Sequence, residues 1–519
     1  MRALVFGVWV IASGCGQRTN VPCAASLDCD LASDGQCVAA PSGSRWCAYP
    51  DPACPGGLRF SDQAVGDGLS GVCVPDESRD AGVDASPDAI DAPAGPLTFA
   101  VTYGGTASEH VAALSAVADG VLLVGTLASD STLGGTSFVY GGGADFVRAK
   151  LDAAGAVVWA VAQNAADQEV IAGMASTGAG DMVLAATFAG TVSFGGSPLV
   201  STAGNYDLVV AKYAGATGAH VWSQRYGGSG EEHALGMCVD PAGDVYVAGY
   251  FLGTANLGGG NLASAGAADG FVAKYHGTDG SFVWGIRFGG GDNDYAETIA
   301  CDGARAVVGG RFRSATINVG GANLVNQGQD DLFLAAFASS GGHVWSARYG
   351  GASNDDVVSV ALAAGAAYIT GAFVEPTNLG GITLTSQGAA DVFVAKYDAA
   401  TGSHTWSKQL GGDGAESPGA LAVVDAGVVI TGRFASAIDF GGGPVSSAGG
   451  DDVFVATLAP ADGAYIDAWR TGGTQNDFGG AIASTPSGLV VGGGFVGINY
   501  FGAMPRTSNG LVDGFVFRP

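Results

Sequence analysis

The sequence predicts an all-β protein: a seven-bladed β-propeller of four-stranded blades, preceded by a small disulfide-rich module. Two observations predict the propeller, because a phrase of the form Trp-x5-Gly recurs after Pro96 and each copy contains four strand-like runs. A third observation, a group of six closely spaced cysteines, predicts the module. Sequence periods above about 20 residues are typical of solenoids, propellers and arrays.

The spacing of the recurring phrase predicts the number of blades. Successive copies of its final residue lie 60 to 63 residues apart, and a glycine holds that position in every copy except the second. The seven positions are Gly105, Ala165, Gly228, Gly290, Gly351, Gly412 and Gly473. Six copies open with Trp or Phe, whereas the last has Asp467 there and Trp469 two residues later, on the same strand face. The clearest departures from the repeat are therefore Ala165 and Asp467–Gly473.

Each copy contains four runs that are typical of β-strands. In the copy after Gly228 they read "HALGMCV", "DVYVAGYF", "GFVAKY" and "SFVWGIRF". Alternating apolar positions with β-branched and aromatic residues favour strands, and Gly, Asp or Asn in the connections favours turns. Four antiparallel strands per copy are typical of a propeller blade. A solenoid fits less well, because solenoids need atypical capping repeats.

The two ends of the repeat region predict how the ring closes. The region opens with a fourth-strand phrase, "LTFAVTYGG" at Leu97–Gly105, and ends with a third-strand phrase, "DGFVFRP" at Asp513–Pro519. The last blade therefore lacks a fourth strand, and we expect the N-terminal strand to supply it. Such an exchange removes two exposed sheet edges.

The repeats resemble a known family. The phrases "DVYVAGYF", "DVFVAKY" and "HVWSARYGG" are similar to those of the SBBP family, a β-propeller repeat of bacterial surface proteins, and the resemblance covers residues 97–519. It implies a seven-bladed propeller and implies little about chemistry.

Residues 1–14 are predicted to be a signal peptide. Arg2 provides the positive charge, and the apolar stretch Ala3–Ala12 is too short to span a bilayer. "ASGC" at Ala12–Cys15 resembles the lipobox of bacterial lipoproteins, although Leu is more usual than Ala12. The resemblance implies lipidation of Cys15, and Gly16 after it implies an outer-membrane lipoprotein that faces the periplasm or the cell surface. The alternative is an ordinary signal peptide followed by a chance cysteine.

Residues 15–75 are predicted to form a disulfide module and residues 76–96 an extended linker. An even number of cysteines in an exported chain is typical of disulfide bonding, and the C-x2-C pairs of zinc sites are missing. The cysteines predicted to pair, in an order that the sequence leaves open, are Cys23, Cys29, Cys37, Cys47, Cys54 and Cys73. The linker contains five Asp and one Glu and has almost nothing to bury.

The charge of the chain excludes some partners. The sequence has 48 acidic and 21 basic residues and a net charge of −27. Extended contact with phosphate groups needs a basic surface, so nucleic acid and anionic lipid headgroups are poor candidates.

Two sets of acids recur once per blade. The first-strand acids are Glu109, Glu169, Glu232, Asp294, Asp355, Glu416 and Asp477. The third-strand acids are Asp145, Asp207, Asp269, Asp331, Asp391, Asp452 and Asp513. Antiparallel connectivity predicts that both sets lie at one rim of the ring. The favoured interpretation is that they accept hydrogen bonds from backbone N–H groups in turns; the alternative is an acidic face that binds calcium or another cation.

The sequence predicts no catalytic residues, no metal site and no cofactor, with calcium as the one alternative. Cys238 and Cys301, in first strands of neighbouring blades, fall on opposite strand faces when aligned and are predicted to be two buried thiols. The predicted function is a membrane-anchored surface lipoprotein whose propeller binds a protein or glycan without catalysis. The alternatives are a structural spacer and an extracellular hydrolase or lyase, the latter by analogy of fold alone.

Overall fold

The structure, a computed structural model, describes residues 98–163, 168–502 and 504–519, together with the backbone of three short strands nearer the N-terminus. These strands form an antiparallel sheet and are Gln36–Ala39, Arg45–Pro50 and Leu58–Phe60. By its contacts the chain divides into two compact units, Met1–Ala89 and Ile90–Pro519. The predicted signal peptide, Cys15, the linker, Ala165 and the side chains of the six module cysteines lie outside the described residues.

Seven four-stranded antiparallel sheets make up the second unit, in the sheet order first, second, third and fourth strand. We number the blades 1 to 7 by their first strands. The first strands are Val111–Val117, Glu169–Ser176, Glu231–Val239, Asp294–Cys301, Asp355–Ala363, Glu416–Val424 and Phe478–Thr485. The second strands are Gly120–Leu127, Met182–Phe188, Val245–Asn256, Arg305–Phe312, Ala366–Phe373, Gly427–Phe434 and Gly488–Phe495.

The outer half of each blade consists of its third and fourth strands. The third strands are Asp145–Asp152, Asp207–Tyr213, Asn261–Tyr275, Asp331–Ala338, Asp391–Asp398, Asp452–Leu458 and Asp513–Arg518. The fourth strands of blades 1 to 6 are Val157–Gln163, His220–Tyr226, Phe282–Phe288, His343–Tyr349, His404–Gly412 and Tyr465–Thr471. Among the described residues the one helical element is the 3-10 turn Thr202–Gly204. The prediction of an all-β propeller of seven four-stranded blades is confirmed.

The blades form a closed ring. Each first strand contacts the first strand of the next blade, and that of blade 7 contacts that of blade 1, so these strands form the inner wall. At one end, the turn end, lie the turns from first to second and from third to fourth strand. At the other, the hairpin end, lie the connections from second to third strand and from each blade to the next.

The ring closes as the sequence predicts. The N-terminal strand Phe99–Gly104 pairs antiparallel with Asp513–Arg518, with Phe99 opposite Arg518 and Tyr103 opposite Gly514. It is the fourth strand of blade 7, so the first and last strands of the ring share one sheet. The expected closure is confirmed.

A small hairpin between the second and third strands was not predicted. Six blades have one, and in blade 3 the two main strands lengthen to make the same projection. The hairpins are Ser131–Leu133 with Thr136–Phe138, Thr191–Val192 with Leu199–Val200, Thr316–Ile317 with Leu324–Val325, Thr377–Asn378 with Thr383–Leu384, Ala437–Asp439 with Pro444–Ser446, and Ile498–Phe501 with Met504–Thr507. In blades 1 and 6 the hairpin also pairs with the fourth strand of the preceding blade.

The core is divided into seven apolar clusters, one at each boundary between blades. Between blades 3 and 4, for example, Tyr246 and Val272 of blade 3 pack with Ile299 and Val308 of blade 4. Burying one such side chain contributes roughly 1.5 to 3 kcal/mol. The strong alternation of apolar residues in every strand therefore serves contacts between blades as well as within them.

The recurring tryptophan joins one blade to the next. Its indole Nε1 donates a hydrogen bond to a carbonyl in the turn between third and fourth strands of the following blade. The donor and acceptor pairs are Trp159 and Gly215, Trp222 and Gly277, Trp284 and Ser339, Trp345 and Ala399, and Trp406 and Pro460. The shifted Trp469 is likewise buried, beside Phe517 of blade 7. The irregular stretch Asp467–Gly473 thus keeps the same packing role.

The prediction of two buried thiols at Cys238 and Cys301 is wrong. The two cysteines form a disulfide between blades 3 and 4, with their Cα atoms 6.0 Å apart, and both are only half-buried. Neighbouring blades stack front to back, so side chains on opposite faces of equivalent strands point toward each other. Because the two cysteines lie on opposite faces of equivalent strands, they face each other across the boundary between the blades.

We expect this disulfide to stabilise the ring. It joins residues 63 apart in the chain, and a loop of that size contributes about 2 to 4 kcal/mol through the unfolded state. The variant Cys238→Ser/Cys301→Ser should therefore unfold at lower denaturant concentration than the wild type. A reducing agent should lower the midpoint of the wild-type ring transition and leave that of the variant unchanged; equal midpoints for oxidised wild type and variant would contradict the expectation.

Candidate binding site at the hairpin end of the ring

The fourteen recurring acids lie at the hairpin end, but they are not exposed there. The first-strand acids and the third-strand acids are all 0 to 3% exposed. They therefore do not form the solvent-facing acidic rim that the alternative interpretation requires. Burial of so many carboxyl groups demands hydrogen-bond partners for them.

Backbone N–H groups supply many of those partners. In six blades the final glycine of the recurring phrase donates its N–H to the first-strand acid four residues later, at 2.7 to 3.3 Å. Each third-strand acid accepts an N–H from a residue four or five positions before it, at 2.7 to 3.1 Å. This is the bonding that the turn interpretation predicts.

The two sets of acids meet across the blade boundaries. Glu232 of blade 3, for example, lies beside Asp207 of blade 2, and Glu416 of blade 6 lies beside Asp391 of blade 5. In four blades an arginine of the fourth strand pairs with the third-strand acid; these pairs are Arg225 with Asp207, Arg287 with Asp269, Arg348 with Asp331, and Arg470 with Asp452. Each such unit combines two carboxyl groups with one guanidinium.

The paired glycines of the recurring phrase make room for these units. A Cβ atom on Gly227 would lie 2.3 Å from Cγ of Asp207, and one on Gly228 would lie 2.1 Å from the carbonyl oxygen of Thr254 in the blade 3 projection. Gly411 and Gly412 are the equivalent glycines of blade 5. A Cβ atom on Gly411 would meet the carboxyl of Asp391, and one on Gly412 would meet the backbone of Ala437. The repeated R-x-G-G motif at the end of the fourth strand therefore has a structural role.

Burial raises the pKa of several of the first-strand acids. Burial, reinforced by the nearby charge of Asp207, raises the pKa of Glu232 to about 8. For the same reasons, with Asp391 and Asp452 as neighbours, the pKa of Glu416 and that of Asp477 are each raised to about 7. A shared proton lets two carboxyl groups lie together without facing charges.

Stability should therefore fall as the pH rises. A raised pKa means that the folded chain holds protons which the unfolded chain releases, so for Glu232 the stabilisation is complete below pH 4.5 and is lost as the pH rises through about 8. We expect a higher melting temperature at pH 5 than at pH 9. Glu232→Gln, which mimics the protonated acid, should reduce that difference, whereas Glu375→Gln at an exposed position should not. Identical pH profiles for wild type and Glu232→Gln would contradict this assignment.

The described residues contain no group of three or more His, Cys, Asp and Glu side chains arranged to hold a metal ion. Calcium prefers six to eight oxygens gathered in one place, and the paired acids spread theirs around the ring. The paired acids therefore give no support for a bound calcium ion.

Three strand positions at the hairpin end vary from blade to blade, unlike the acids and the glycines. The residue after each first-strand acid faces a second-strand residue across the sheet. In blades 1 to 7 these facing residues are His110 and Thr126, Val170 and Thr187, His233 and Tyr250, Tyr295 and Arg311, Asp356 and Ala372, Ser417 and Arg433, and Phe478 and Gly494. The third position precedes each third-strand acid and is Tyr206 in blade 2.

The variable positions of blades 2 to 5 come together in one group, which we call the blade 3–4 patch. It consists of Tyr206, His233, Tyr250, Tyr295, Arg311 and Asp356 from those positions, together with Glu297, which lies three residues after the first-strand acid Asp294; all are partly exposed. The ring of His233 stacks on Tyr250 with centroids 4.7 Å apart, and the edge of Tyr250 meets Tyr295 at 4.8 Å. The ring of Tyr206 lies 5.1 Å from that of His233. Four aromatic rings thus run side by side across two blade boundaries.

Charged groups border the aromatic rings on the blade 4 side. The guanidinium of Arg311 lies 5.1 Å from the centre of the Tyr295 ring, and its Nε lies 3.0 Å from Oε1 of Glu297. Its Nη1 lies 3.6 Å from Oδ2 of Asp356 in the next blade. Burial and the neighbouring charge of Asp356 raise the pKa of Glu297 to about 9. The patch therefore offers ring faces, a guanidinium and carboxyl groups within one small area.

The blade 3–4 patch was not predicted from the sequence. Its members are single residues in strands whose other positions repeat, so no motif marks them. Aligning the blades column by column would have shown it, because Tyr250 and Arg311 occupy a position that holds Thr, Ala or Gly in four other blades. The exposed aliphatic side chains Val170, Leu235 and Val358 lie on the same first strands as the patch or next to them.

A cavity of about 780 Å³ lies at the turn end, between blades 1 and 2, with Pro486 of blade 7 at its edge. Its lining is mainly Gly and Ala, and the amine of Lys150 within it pairs with Asp119 at 2.8 Å. The cavity therefore offers fewer aromatic and charged side chains than the blade 3–4 patch. Within the part of the chain that the structure describes, no helix has the length and apolar composition needed to cross a membrane.

The sheet order and the ring closure define this chain as a seven-bladed β-propeller protein. No family model and no curated protein matches it, so its resemblance to SBBP repeats stays a prediction. Solved structures similar to it include the quinohemoprotein alcohol dehydrogenase of Comamonas testosteroni, at 11% identity and a TM-score of 0.36 over 79% of this chain and 76% of that one. Others are the Pan2 WD40 domain of Neurospora crassa (8%, 0.38, 78% and 88%) and a europium-containing methanol dehydrogenase (10%, 0.39, 82% and 93%). The fold assignment depends on the strand order of this chain alone.

Proposed function

We propose that this chain is a surface lipoprotein whose propeller binds a protein or glycan ligand without catalysis. The observation that carries the proposal is the blade 3–4 patch, where the variable positions of neighbouring blades bring four aromatic rings, a guanidinium and carboxyl groups together. Tyrosine and arginine are enriched at the centres of binding interfaces, and four neighbouring rings provide stacking surface at low entropic cost. A ring built only as a spacer has no need of such a group.

The state of the recurring acids supports a binding role over a catalytic one. A catalytic acid or base must reach its substrate, whereas the fourteen recurring acids are buried and thirteen of them accept hydrogen bonds from the surrounding backbone. Perturbed pKa values often mark active sites. Here they recur from blade to blade, as expected of groups that build a fold.

The binding role is tested with the full-length protein on arrays of glycans and on fractions of bacterial cell envelope. Arg311→Ala and Tyr250→Ala should lose most of the binding that the wild type shows. Arg433→Ala is the matched control for Arg311→Ala, because it removes the same side chain from the same strand position two blades away. Equal binding by Arg311→Ala and Arg433→Ala would show that the patch is not the site, and no binding by any form would favour the spacer.

The disulfide between Cys238 and Cys301 supports the exported location in this proposal. Disulfides form and persist in oxidising compartments such as the bacterial periplasm and the cell surface. An acyl group at Cys15 would then hold the protein at the outer membrane.

The anchor is tested by replacing its cysteine. Cys15→Ala expressed in a bacterium should leave uncleaved or soluble protein, because acyl chains are the source of membrane affinity in this proposal. Membrane and soluble fractions are compared after a carbonate wash. Wild-type and Cys15→Ala protein found equally in the washed membranes would refute the lipid anchor.

A further inference from the structure

The blade 3–4 patch holds more carboxyl groups than cationic groups. Arg311 is its one guanidinium, and two carboxyl groups, those of Glu297 and Asp356, approach it within 4 Å. A third carboxyl, that of Glu231, lies 3.3 Å from Nε2 of His233 at the other side of the aromatic rings. The nearby Asp330 already has a partner of its own, the guanidinium of Arg313, at 2.7 and 2.9 Å. One guanidinium therefore serves two carboxyl groups at the centre of the patch.

Two oxygen atoms in this group lack hydrogen-bond donors. Oε2 of Glu297 and Oδ1 of Asp356 are buried atoms that accept no hydrogen bond from an N–H or hydroxyl group of the described residues, and the two carboxyl groups face each other. Leaving a buried acceptor unsatisfied costs free energy. Burial, together with the facing carboxyl of Asp356, raises the pKa of Glu297, and Arg311 is the cation that both carboxyl groups share.

The aromatic rings beside these oxygens suit the same kind of ligand. The faces of tyrosine rings attract cations, as the position of Arg311 over Tyr295 already shows. The ring of Tyr250 stands nearly perpendicular to that of Tyr295, so the two present differently oriented surfaces. The net charge of −27 on the whole chain would draw a basic partner toward it.

We propose that the blade 3–4 patch binds the lysine side chains of a basic peptide segment of a partner protein. Glu297 and Asp356 receive the ammonium group, and Tyr250 and Tyr295 contact it and its aliphatic stem. The ammonium takes the place of the proton on Glu297, which is released to solvent. This inference rests on the proposed function and specifies its ligand. A neutral glycan would bring hydroxyl groups but would leave the excess of carboxyl groups uncompensated.

The test uses the full-length protein and a hexalysine peptide blocked at both ends, with binding measured by calorimetry at 150 mM salt to screen long-range attraction. The same peptide with every ε-amine acetylated is the ligand control. We expect binding of the hexalysine peptide and at least a tenfold weaker affinity for the acetylated one. Equal affinities for the two peptides would overturn the proposal.

The protein variants separate this patch from the overall charge. Glu297→Gln and Asp356→Asn should each weaken binding of hexalysine at least tenfold, as should Tyr250→Leu, which keeps apolar bulk but removes the ring. Asp425→Asn removes one exposed charge at the turn end, and Tyr500→Leu removes an exposed ring in blade 7; both should stay within twofold of the wild type. Melting curves establish that each variant folds.

Each other outcome decides between the two proposals. If Asp425→Asn weakens binding as much as Glu297→Gln, the attraction is non-specific and the lysine proposal is wrong. If an uncharged oligosaccharide binds instead and Tyr250→Leu abolishes that binding, the patch is a binding site but its ligand class is wrong. If the wild type binds a ligand and none of the patch variants changes that binding, both this inference and the proposed function fail.

Discussion

A chain that begins at Thr106, and so lacks the strand Phe99–Gly104, should lose about 5 kcal/mol or more of unfolding free energy and should self-associate. The deleted strand contributes Phe99 and Tyr103, which are 7% and 2% exposed, to the cluster between blades 7 and 1. It also completes the sheet of blade 7, whose third strand would otherwise become an edge. An unpaired edge with apolar side chains is a template for pairing with other chains.

The measurement is thermal and denaturant unfolding together with light scattering. A chain that begins at Leu97 keeps the closing strand and serves as the control, because it should melt like the same region of the full-length protein. If the Thr106 chain melts at the same temperature as the Leu97 chain and stays monomeric, the strand does not hold the ring closed.

The second large effect is expected at the paired glycines. Gly227→Ala should cost about 3 kcal/mol, because the new methyl group would overlap the carboxyl of Asp207, which would have to move. That movement would disturb the bonds of Asp207 to Arg225 and to the N–H of Thr202, and its position beside Glu232. Chemical denaturation of the two proteins gives the difference directly.

Gly291→Ala is the control for that substitution. Gly291 follows the equivalent glycine pair of the next copy, but a Cβ atom on it would have no heavy atom within 4 Å. We expect it to change stability by less than about 0.5 kcal/mol. Equal losses in Gly227→Ala and Gly291→Ala would mean that the glycine pair is not needed to accommodate Asp207.

Most of the fold could be predicted from the sequence because the blade motif recurs in seven copies. The tryptophan and glycine of each copy mark the blade boundary, and the unmatched phrases at Phe99 and Asp513 reveal the closure. The small hairpins were missed because segments such as Thr377–Leu384 have only two paired residues on each side, too few for an alternating pattern. The disulfide was missed because face parity was applied within one sheet, whereas Cys238 and Cys301 belong to two stacked sheets.

The candidate site was predicted only in part. The recurring acids could be found by their spacing, and connectivity placed them at the correct end of the ring. Their burial depends on the neighbouring blade, as with Asp207 beside Glu232, which no single copy reveals. The blade 3–4 patch depends on Tyr250 and Arg311, which differ from their counterparts in most other blades. A search for repeated motifs does not find such residues.

The closing strand also has a mechanical consequence. It runs from the turn end to the hairpin end, and Thr98, just before it, donates its N–H to the carbonyl of Arg518 at 3.0 Å. A pull on the N-terminal segment in line with this strand would therefore load the strand along its axis. The hydrogen bonds between Phe99–Gly104 and Asp513–Arg518 lie across that axis, so they would be loaded together, in shear, and not peeled apart one at a time. The strand that completes the circle is thus also the one through which a pull from an N-terminal anchor would reach the propeller.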